Sequence, residues 1–282
     1  MQFTHPQARL FIPDGTDTET ALSRTTHLGI GAHQDDLEFM AFHGILTCYH
    51  SDDQWFGGVT CTDGAGSART GPYERFSNED MKQIRIQEQE MAAVVGRFGS
   101  MMQLGHPSSV VKDPGNALLK EDLKNLLLAT RPEIVYTHNP ADKHASHIGV
   151  VMAVIRAIRE LPAEARPKTV WGCEVWRGLD WMPDEDKVLQ NVSGHENLAA
   201  ALNGIFDSQI SGGKRYDLAT LGRRRANATF FDSHSVDDAD MLIYGMDLSP
   251  LAHDPELDIL EYTLGFIRKF EDDVRSKLGP YL

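Results

Sequence analysis

Histidine and aspartate residues cluster in two segments that lie far apart in this sequence. The first segment, residues 31–38, contains His33, Asp35 and Asp36, and the second, residues 138–147, contains three of the chain's 12 histidines. Imidazole nitrogens and carboxylate oxygens are ligands that suit Zn²⁺, and an open catalytic zinc site has about three protein ligands and a water molecule. The two clusters together predict one metal site and metal-assisted hydrolysis.

Each cluster also has a simpler explanation. Aspartate is favoured at the start of a helix, where it accepts backbone N–H bonds and complements the helix dipole. A lone histidine is more often a packed core residue or a polar residue at a helix end. Two consecutive carboxylates repel each other, however, and a cation beside them relieves that repulsion. His144 and His147, three residues apart at a predicted helix start, project from one face.

The elements that surround the clusters predict where the clusters lie in the fold. Both follow strand-like runs and precede helix-like runs. The strand-like runs are 27–32, 56–62, 100–104, 134–138 and 169–176, and the helix-like runs are 37–50, 78–98, 116–130 and 146–161. Such a β-α-β-α succession predicts an α/β fold with a mostly parallel sheet flanked by helices. Open sheets of this kind bind ligands at the carboxyl ends of their strands.

Composition excludes several classes of function. The chain has 282 residues and a net charge of −14, which argues against a nucleic-acid binder and against docking on anionic membranes. No apolar run is long enough to cross a bilayer, and the N-terminus lacks the pattern of a signal peptide. Cys48, Cys61 and Cys173 are scattered and odd in number, so we expect reduced, buried thiols and a cytoplasmic protein.

The domain organisation follows from where the regular pattern begins and ends. Residues 1–24 are polar and are predicted to form an N-terminal arm. Residues 25–282 are predicted to form a single domain, with an α/β core over 25–176 and a less regular, helical C-terminal elaboration over 177–282. Within the elaboration, helix-like runs cover 196–209, 217–228 and 255–277.

Four motifs give the sequence a family resemblance. The segment Ala32-His33-Gln34-Asp35-Asp36, the pair His144 and His147, the loop Thr62–Ser67 and the helix segment Arg85–Glu88 resemble the PIG-L/LmbE-like zinc deacetylases. The resemblance covers residues 27 to 160 and implies a Rossmann-like fold. It also implies removal of an acetyl group from an N-acetylated amino sugar, such as N-acetylglucosamine, or from a conjugate of one.

The resemblance assigns roles residue by residue. It implies three zinc ligands, His33, Asp36 and His147. It also implies that Asp35 is the general base and His144 a second catalytic group. The arginine that binds the substrate in the family corresponds to Arg85. Gln34 departs from the proline that is common in the family. Asp142 and Lys143 stand where the family often has a tyrosine.

Weaker candidates surround this set. Asp113 lies between Lys112 and Pro114 and is a candidate to meet a sugar hydroxyl, although its sequence context favours a solvated turn. Trp176 and Trp181 are predicted either to offer a stacking platform for a sugar ring or to fill the core.

Three functional interpretations follow. The first is a zinc-dependent N-deacetylase whose partner is a small N-acetyl sugar or glycoconjugate, with another divalent metal as an alternative to zinc. The second is a metal-dependent hydrolase of another amide or ester, and the third is a non-catalytic sugar-binding module. The sequence leaves open whether the protein is a homo-oligomer.

Overall fold

An eight-stranded sheet forms the centre of the computed structural model, which describes residues 3–282. In chain order the strands are β1 (Arg9–Phe11), β2 (His27–Gly31), β3 (Phe56–Thr62), β4 (Ser100–His106), β5 (Ile134–His138), β6 (Thr169–Cys173), β7 (Lys187–Asn191) and β8 (Leu242–Asp247). Strands β2 and β3 are buried along their whole length, as expected for strands covered on both faces.

Helices fill the connections between the strands. They are α1 (Thr18–Ser23), α2 (Asp36–Met40), α3 (Phe42–Tyr49), α4 (Asn78–Val95), α5 (Ser108–Lys112), α6 (Leu118–Thr130), α7 (Ala145–Arg159), α8 (Glu196–Gly204), α9 (Asp207–Ile210), α10 (Tyr216–Thr229), α11 (Ser249–His253) and α12 (Ile259–Leu278). Ser77 caps α4 in a reciprocal capping box with Asp80, which fixes where this long helix begins.

The strand order places a crevice beside β2. Across the sheet the order is β1-β4-β3-β2-β5-β6-β8-β7. The five strands β4, β3, β2, β5 and β6 run parallel to one another. In contrast, β1 is antiparallel to β4, and β8 is antiparallel to both β6 and β7. The chain runs outward from β2 through β3 and β4, then returns to the other side of β2 with β5. The connections after β2 and β5 therefore diverge, which opens a ligand crevice at their carboxyl ends.

Two apolar layers hold the sheet between the helices. On one face α6 and α7 pack through residues such as Leu126 and Val154. On the other face α3 and α8 pack through residues such as Phe42 and Leu202. Because both faces of the central strands are covered, the strand ends are rigidly placed, and polar groups can be held there at fixed positions.

The predicted fold class is confirmed, and several details differ. The helix predicted over 37–50 is two helices, α2 and α3, which meet at Ala41. The C-terminal part contributes two strands besides its helices: β8, which lies next to β6, and β7, which forms the edge of the sheet. The sequence pattern did not predict them, because strands of five and six residues carry little periodic signal. All three cysteines are buried and free. Within residues 3–282, no helix combines the length and apolarity that a membrane span requires.

The N-terminal segment is tied to the core by a buried carboxylate. Thr4 donates its backbone N–H and its hydroxyl to Asp122, each at 2.7 Å, and Asp122 lies 2.8 Å from Nε2 of His106. Farther along the same segment, β1 pairs with β4. Burial acts to raise the pKa of Asp122, but the hydrogen bonds from His106 and Thr4 outweigh it and lower that pKa below its ordinary value.

We expect Asp122→Asn to lower the free energy of unfolding by about 1.5–3 kcal/mol at neutral pH, because the charged acceptor is lost. The ionised carboxylate stabilises the fold above its unfolded-chain pKa of about 3.9, and this stabilisation is lost as the pH falls through the lower folded pKa. The difference in free energy of unfolding between the wild-type protein and Asp122→Asn should therefore shrink below about pH 4. Urea unfolding at pH 7 and at pH 3.5 measures this, with Asp113→Asn as an exposed control. A gap that widens in acid would contradict the assignment.

Candidate metal centre and active site

The two predicted clusters meet at the crevice beside β2. His33, Asp35 and Asp36 follow β2 directly, while His144 and His147 stand at the start of α7, after β5. The close approach needs glycine at the end of β2, because a Cβ on Gly31 would lie 2.9 Å from the Cβ of Asp36. The glycine thus lets the carboxylate fold back over the strand end.

Three donor groups converge within this crevice. Nδ1 of His33 lies 3.2 Å from Oδ2 of Asp36 and 3.3 Å from Nε2 of His147, and that Nε2 lies 3.4 Å from Oδ1 of Asp36. Metal–ligand bonds of about 2.0–2.2 Å in a tetrahedron separate neighbouring donors by about 3.3–3.6 Å. The predicted ligands thus stand at nearly the spacing that a small divalent cation requires. His147 and Asp36 are buried, whereas the His33 side chain keeps an exposed edge.

Asp142 orients His147 and was not singled out as a functional residue from the sequence. Its Oδ2 lies 3.2 Å from Nδ1 of His147, which leaves Nε2 facing His33 and Asp36. A carboxylate behind a metal-binding histidine fixes the ring and makes it a better ligand. Burial acts to raise the pKa of Asp142, but its bond with His147 prevails and lowers it. The sequence signal for this role is that Asp142 stands five residues before the candidate ligand His147.

We expect Asp142→Asn to weaken metal binding by about 10–100-fold, because an amide holds the imidazole less firmly than a carboxylate does. Competition with a chromogenic chelator measures the affinity on the folded protein. Asp113→Asn, which changes an exposed aspartate outside the crevice, serves as the control. Unchanged affinity in Asp142→Asn would mean that packing alone orients His147.

His138, at the end of β5, is a second residue whose role sequence reasoning missed. Its ring stacks on His147 with centroids 3.8 Å apart, and its Nε2 lies 3.4 Å from Oδ2 of Asp36. Asp36, His138 and His147 therefore also form a donor group that could hold a metal ion. Nε2 of His138, however, accepts the backbone N–H of Ala32 at 2.9 Å, so its lone pair is already engaged. Burial, helped by His147, lowers the pKa of His138 to about 4.

Asp35 occupies a strained position between the ligands and a buried arginine. Its φ is 103°, a conformation that side-chain-bearing residues rarely adopt and that costs about 1–3 kcal/mol. The strain is held by Gln89, which accepts the Asp35 backbone N–H at 3.2 Å, and by Arg85, whose Nη2 lies 3.4 Å from Oδ1. Burial raises the pKa of Asp35 to about 7, with Arg85 opposing and Asp36 adding to the shift.

Gln34, which departs from the family's proline, is buried and fixes the turn through its side chain. Its Nε2 donates to the backbone oxygen of Thr62 and to Oε1 of Gln103, both at 3.2 Å. The amide therefore ties the turn to β3 and β4 and supplies stiffness that a proline ring would otherwise provide.

His144 faces both histidine ligands from the mouth of the crevice. Its ring centroid lies 5.0 Å from that of His33 and 4.7 Å from that of His147, and the three rings form another donor group that could hold a metal ion. Burial, together with these two imidazoles, lowers the pKa of His144 to about 4. The ring is therefore neutral at pH 7 and can act as an N–H donor there, whereas its surroundings disfavour the protonated imidazolium.

A cavity of about 630 Å³ opens onto these groups. Arg85 lines it, but its guanidinium is largely engaged: Nη1 donates to Oγ of Ser67 at 2.9 Å, and Nη2 reaches the backbone oxygen of Gln34 besides Asp35. The glycine-rich loop after β3 and Trp176 also line the cavity. Trp181 instead packs against the apolar core.

Asp113 is not brought to the cavity. It is exposed after α5, and its Oδ1 accepts the backbone N–H of Gly115 at 2.9 Å. The carboxylate therefore stabilises a solvated turn, the simpler of the two interpretations that its sequence context allows.

Comparison with known proteins finds a family match over part of the chain. Residues 28–158 match the family model described as PIG-L, GlcNAc-PI de-N-acetylase. The matched segment contains the four motifs, so the match confirms the resemblance that they predict. A comparison of the sequence with curated proteins finds no match.

Solved structures share the fold at low sequence identity. An N,N'-diacetylchitobiose deacetylase from Pyrococcus horikoshii aligns with a TM-score of 0.62 and 15% identity over 82% of this chain and 86% of that chain. A conserved protein from Thermus thermophilus aligns with a TM-score of 0.59 and 18% identity over 82% of this chain and 98% of that chain. A 4-carboxy-2-hydroxymuconate hydratase from Pseudomonas putida aligns with a TM-score of 0.57 and 13% identity over 79% of this chain and 95% of that chain. A deacetylase and a hydratase on one fold mean that the site, not the fold, must identify the reaction.

Proposed function

We propose that this protein is a metal-dependent N-deacetylase that hydrolyses the acetamide of an N-acetylated amino sugar or its conjugate. The observation that carries the proposal is the convergence of donors from His33, Asp36 and His147 at spacings that suit a tetrahedral cation. The match of residues 28–158 to the PIG-L family model and the structural similarity to a diacetylchitobiose deacetylase support the acetamide as the reacting group.

The donor set fits Zn²⁺ and also admits other divalent ions. Two imidazoles and one carboxylate match a common catalytic zinc set, and Asp142 supplies the outer carboxylate that such sites use. When bound, the ion supplies Lewis-acid polarisation of a carbonyl and makes hydroxide available near neutral pH. Affinity order and metal availability compete in a cell, so the native ion is part of what the experiment below decides.

Asp35 is proposed as the general base. Its carboxylate lies beside the ligand Asp36 and lines the cavity, so it can reach a water molecule held between the ligands and the substrate. Nη2 of Arg85 orients the carboxylate from 3.4 Å, and the Gln89 side chain holds the backbone by accepting the Asp35 N–H at 3.2 Å. Arg85 therefore acts mainly as a positioning residue, although its place in the cavity wall also allows the predicted contact with substrate.

His144 is proposed to assist at the opposite end of the reaction. A neutral imidazole can donate its N–H to the oxygen that becomes negative as the carbonyl is attacked. The departing amine must also gain a proton, because an unprotonated amine is a poor leaving group. Since His144 is neutral at rest, the proton that Asp35 takes from water is the one available for the amine.

Addition of water to a carbon–carbon double bond is the competing reaction, because a hydratase shares the fold. A screen of N-acetyl sugars for released acetate and primary amine separates the two reactions. We expect equal amounts of both products, loss of activity with a chelator, and recovery when Zn²⁺ or another divalent ion is added back. Release of neither product across the screen, with the metal bound, would refute the deacetylase.

A further inference from the structure

The cavity beside the candidate metal centre is much more positive than the chain as a whole. The chain carries a net charge of −14. Outside the catalytic groups, however, the cavity wall includes five cationic side chains, Lys112, Lys214, Arg215, Arg223 and Arg224, against only two acidic ones, Asp63 and Glu174. Four of the five cations come from the C-terminal elaboration, which supplies the part of the wall that family motifs do not describe.

Four of these five cations form no ion pair. Arg215 is paired with Asp217 at 2.7 Å, so its charge is neutralised locally. The acidic Asp63 is likewise paired, with Lys82 at 3.1 Å. Ion pairs within residues 3–282 include none for the other four cavity cations, Lys112, Lys214, Arg223 and Arg224.

Arg224 strengthens the positive field from inside the wall. Its side chain is only 2% exposed, and its Nη2 donates to the backbone oxygens of Glu38 and Phe39 at 2.7 and 3.2 Å. Its guanidinium lies over the ring of Phe42, 4.6 Å from the centroid. These direct partners are neutral, and little water is present to screen the charge. The buried carboxylate of Glu174 attracts the charges of both Arg224 and Arg223 without forming an ion pair with either, so the two arginines share one counter-charge and remain positive in sum. A buried cation of this kind projects its potential into the adjoining cavity.

Lys214 and Trp176 bring this field next to the catalytic groups. Nζ of Lys214 lies 5.0 Å from the centroid of the Trp176 ring. The Trp176 ring in turn lies 6.1 Å from that of His144, nearly parallel to it at 22°. An aromatic face and a free ammonium group therefore follow the catalytic histidine along one wall, an arrangement that suits a sugar ring bearing a negative substituent.

We propose that the natural substrate carries an anionic group, a carboxylate or a phosphate, beyond the hydrolysed amide, and that Lys214 and Arg223 bind it. The inference rests on the proposed function and narrows its substrate class. Arg224 assists through its charge rather than by contact, because its unbonded nitrogens are buried. Uncompensated cations on one wall repel each other, and an anionic ligand relieves that repulsion.

The test uses amines that resemble reaction products, so binding is measured whether or not the enzyme turns over. Glucosamine, glucosamine 6-phosphate and muramic acid are titrated calorimetrically into the metal-loaded protein. We expect the two anionic amines, or one of them, to bind at least about tenfold more tightly than glucosamine. The double variant Lys214→Gln with Arg223→Gln should remove the preference. Lys214→Gln alone, which changes an exposed side chain, should reduce it and guards against a folding defect in the double variant.

Arg225→Gln is the matched control, because Arg225 lies on α10 with Arg223 but pairs with Glu196 outside the cavity. Equal affinity for all three amines overturns the inference even if N-acetyl sugars are deacetylated. A preference that survives in the double variant overturns the assignment to Lys214 and Arg223. An anion preference that the variants remove, without hydrolysis of any acetamide, sustains the anion subsite and refutes only the proposed function. Comparison of the phosphate with the carboxylate shows which group the subsite favours.

Discussion

Asp35→Asn is expected to lower kcat/KM on an N-acetyl sugar by about 10²–10⁴-fold while the protein keeps its metal. The amide cannot take a proton from water, yet it has nearly the size and shape of the carboxylate. Asparagine also tolerates the φ of 103° at this position better than alanine does. Alanine there would add backbone strain to the loss of the base and would confuse the two effects.

Metal content, measured on the same preparation by mass spectrometry, separates the two roles that Asp35 could have. A metal-loaded, inactive Asp35→Asn identifies the residue as a base, whereas loss of metal would make it a ligand. Asp113→Asn is the matched control, since that side chain is exposed and bonded only to a turn. Full activity in Asp35→Asn would exclude the base assignment altogether.

Substitution of a ligand should have the second large effect, the loss of both metal and turnover. We expect His147→Ala to weaken metal binding by more than the roughly 100-fold expected for an outer residue, because its Nε2 faces both other donors at 3.3–3.4 Å. Deacetylation should fall to background, and added metal should restore little of it. Metal affinity is measured by competition with a chelator, independently of activity.

The predicted ligand set His33, Asp36 and His147 shares two members with the donor group of Asp36, His138 and His147, so His33 and His138 must be compared directly. If His33 is the ligand, His33→Ala should lose metal as His147→Ala does. His138→Gln should retain it, because His138 already accepts the Ala32 backbone N–H. If His138→Gln loses the metal and His33→Ala retains it, the third ligand is His138 and not His33.

Electrostatics favour a cation in the crevice. Asp35 and Asp36 are both buried, and each experiences the other's charge in a medium that screens it poorly. Burial acts to raise the pKa of Asp36, but the imidazoles of His147, His138 and His33 prevail and hold it well below its ordinary value. Asp36 is thus kept ionised, as the proposed ligand role requires, while the pKa of Asp35 is raised to about 7. Two adjacent aspartates can differ in this way only because their surroundings differ.

Local chemistry allowed the sequence to determine the fold class and the chemically active segments. Period-3.6 and period-2 apolar patterns specify which runs become helices and which become buried strands, and their alternation specifies a parallel sheet. The strand ends at His33 and His138 follow from that pattern, as does the pairing of His144 with His147 on one helix face. Each of these features depends on neighbours within a few residues.

Tertiary structure decided everything that depends on which distant groups meet. The contact of Asp142 with His147, the hydrogen bond from Ala32 to His138 and the tether of Gln34 to β3 and β4 all follow from how the strands pair. The two C-terminal strands, β7 and β8, and the cationic cavity wall likewise arise only when the C-terminal part packs against the core. Periodicity records burial along one element, whereas the charge and pKa of a site depend on groups brought together from many elements.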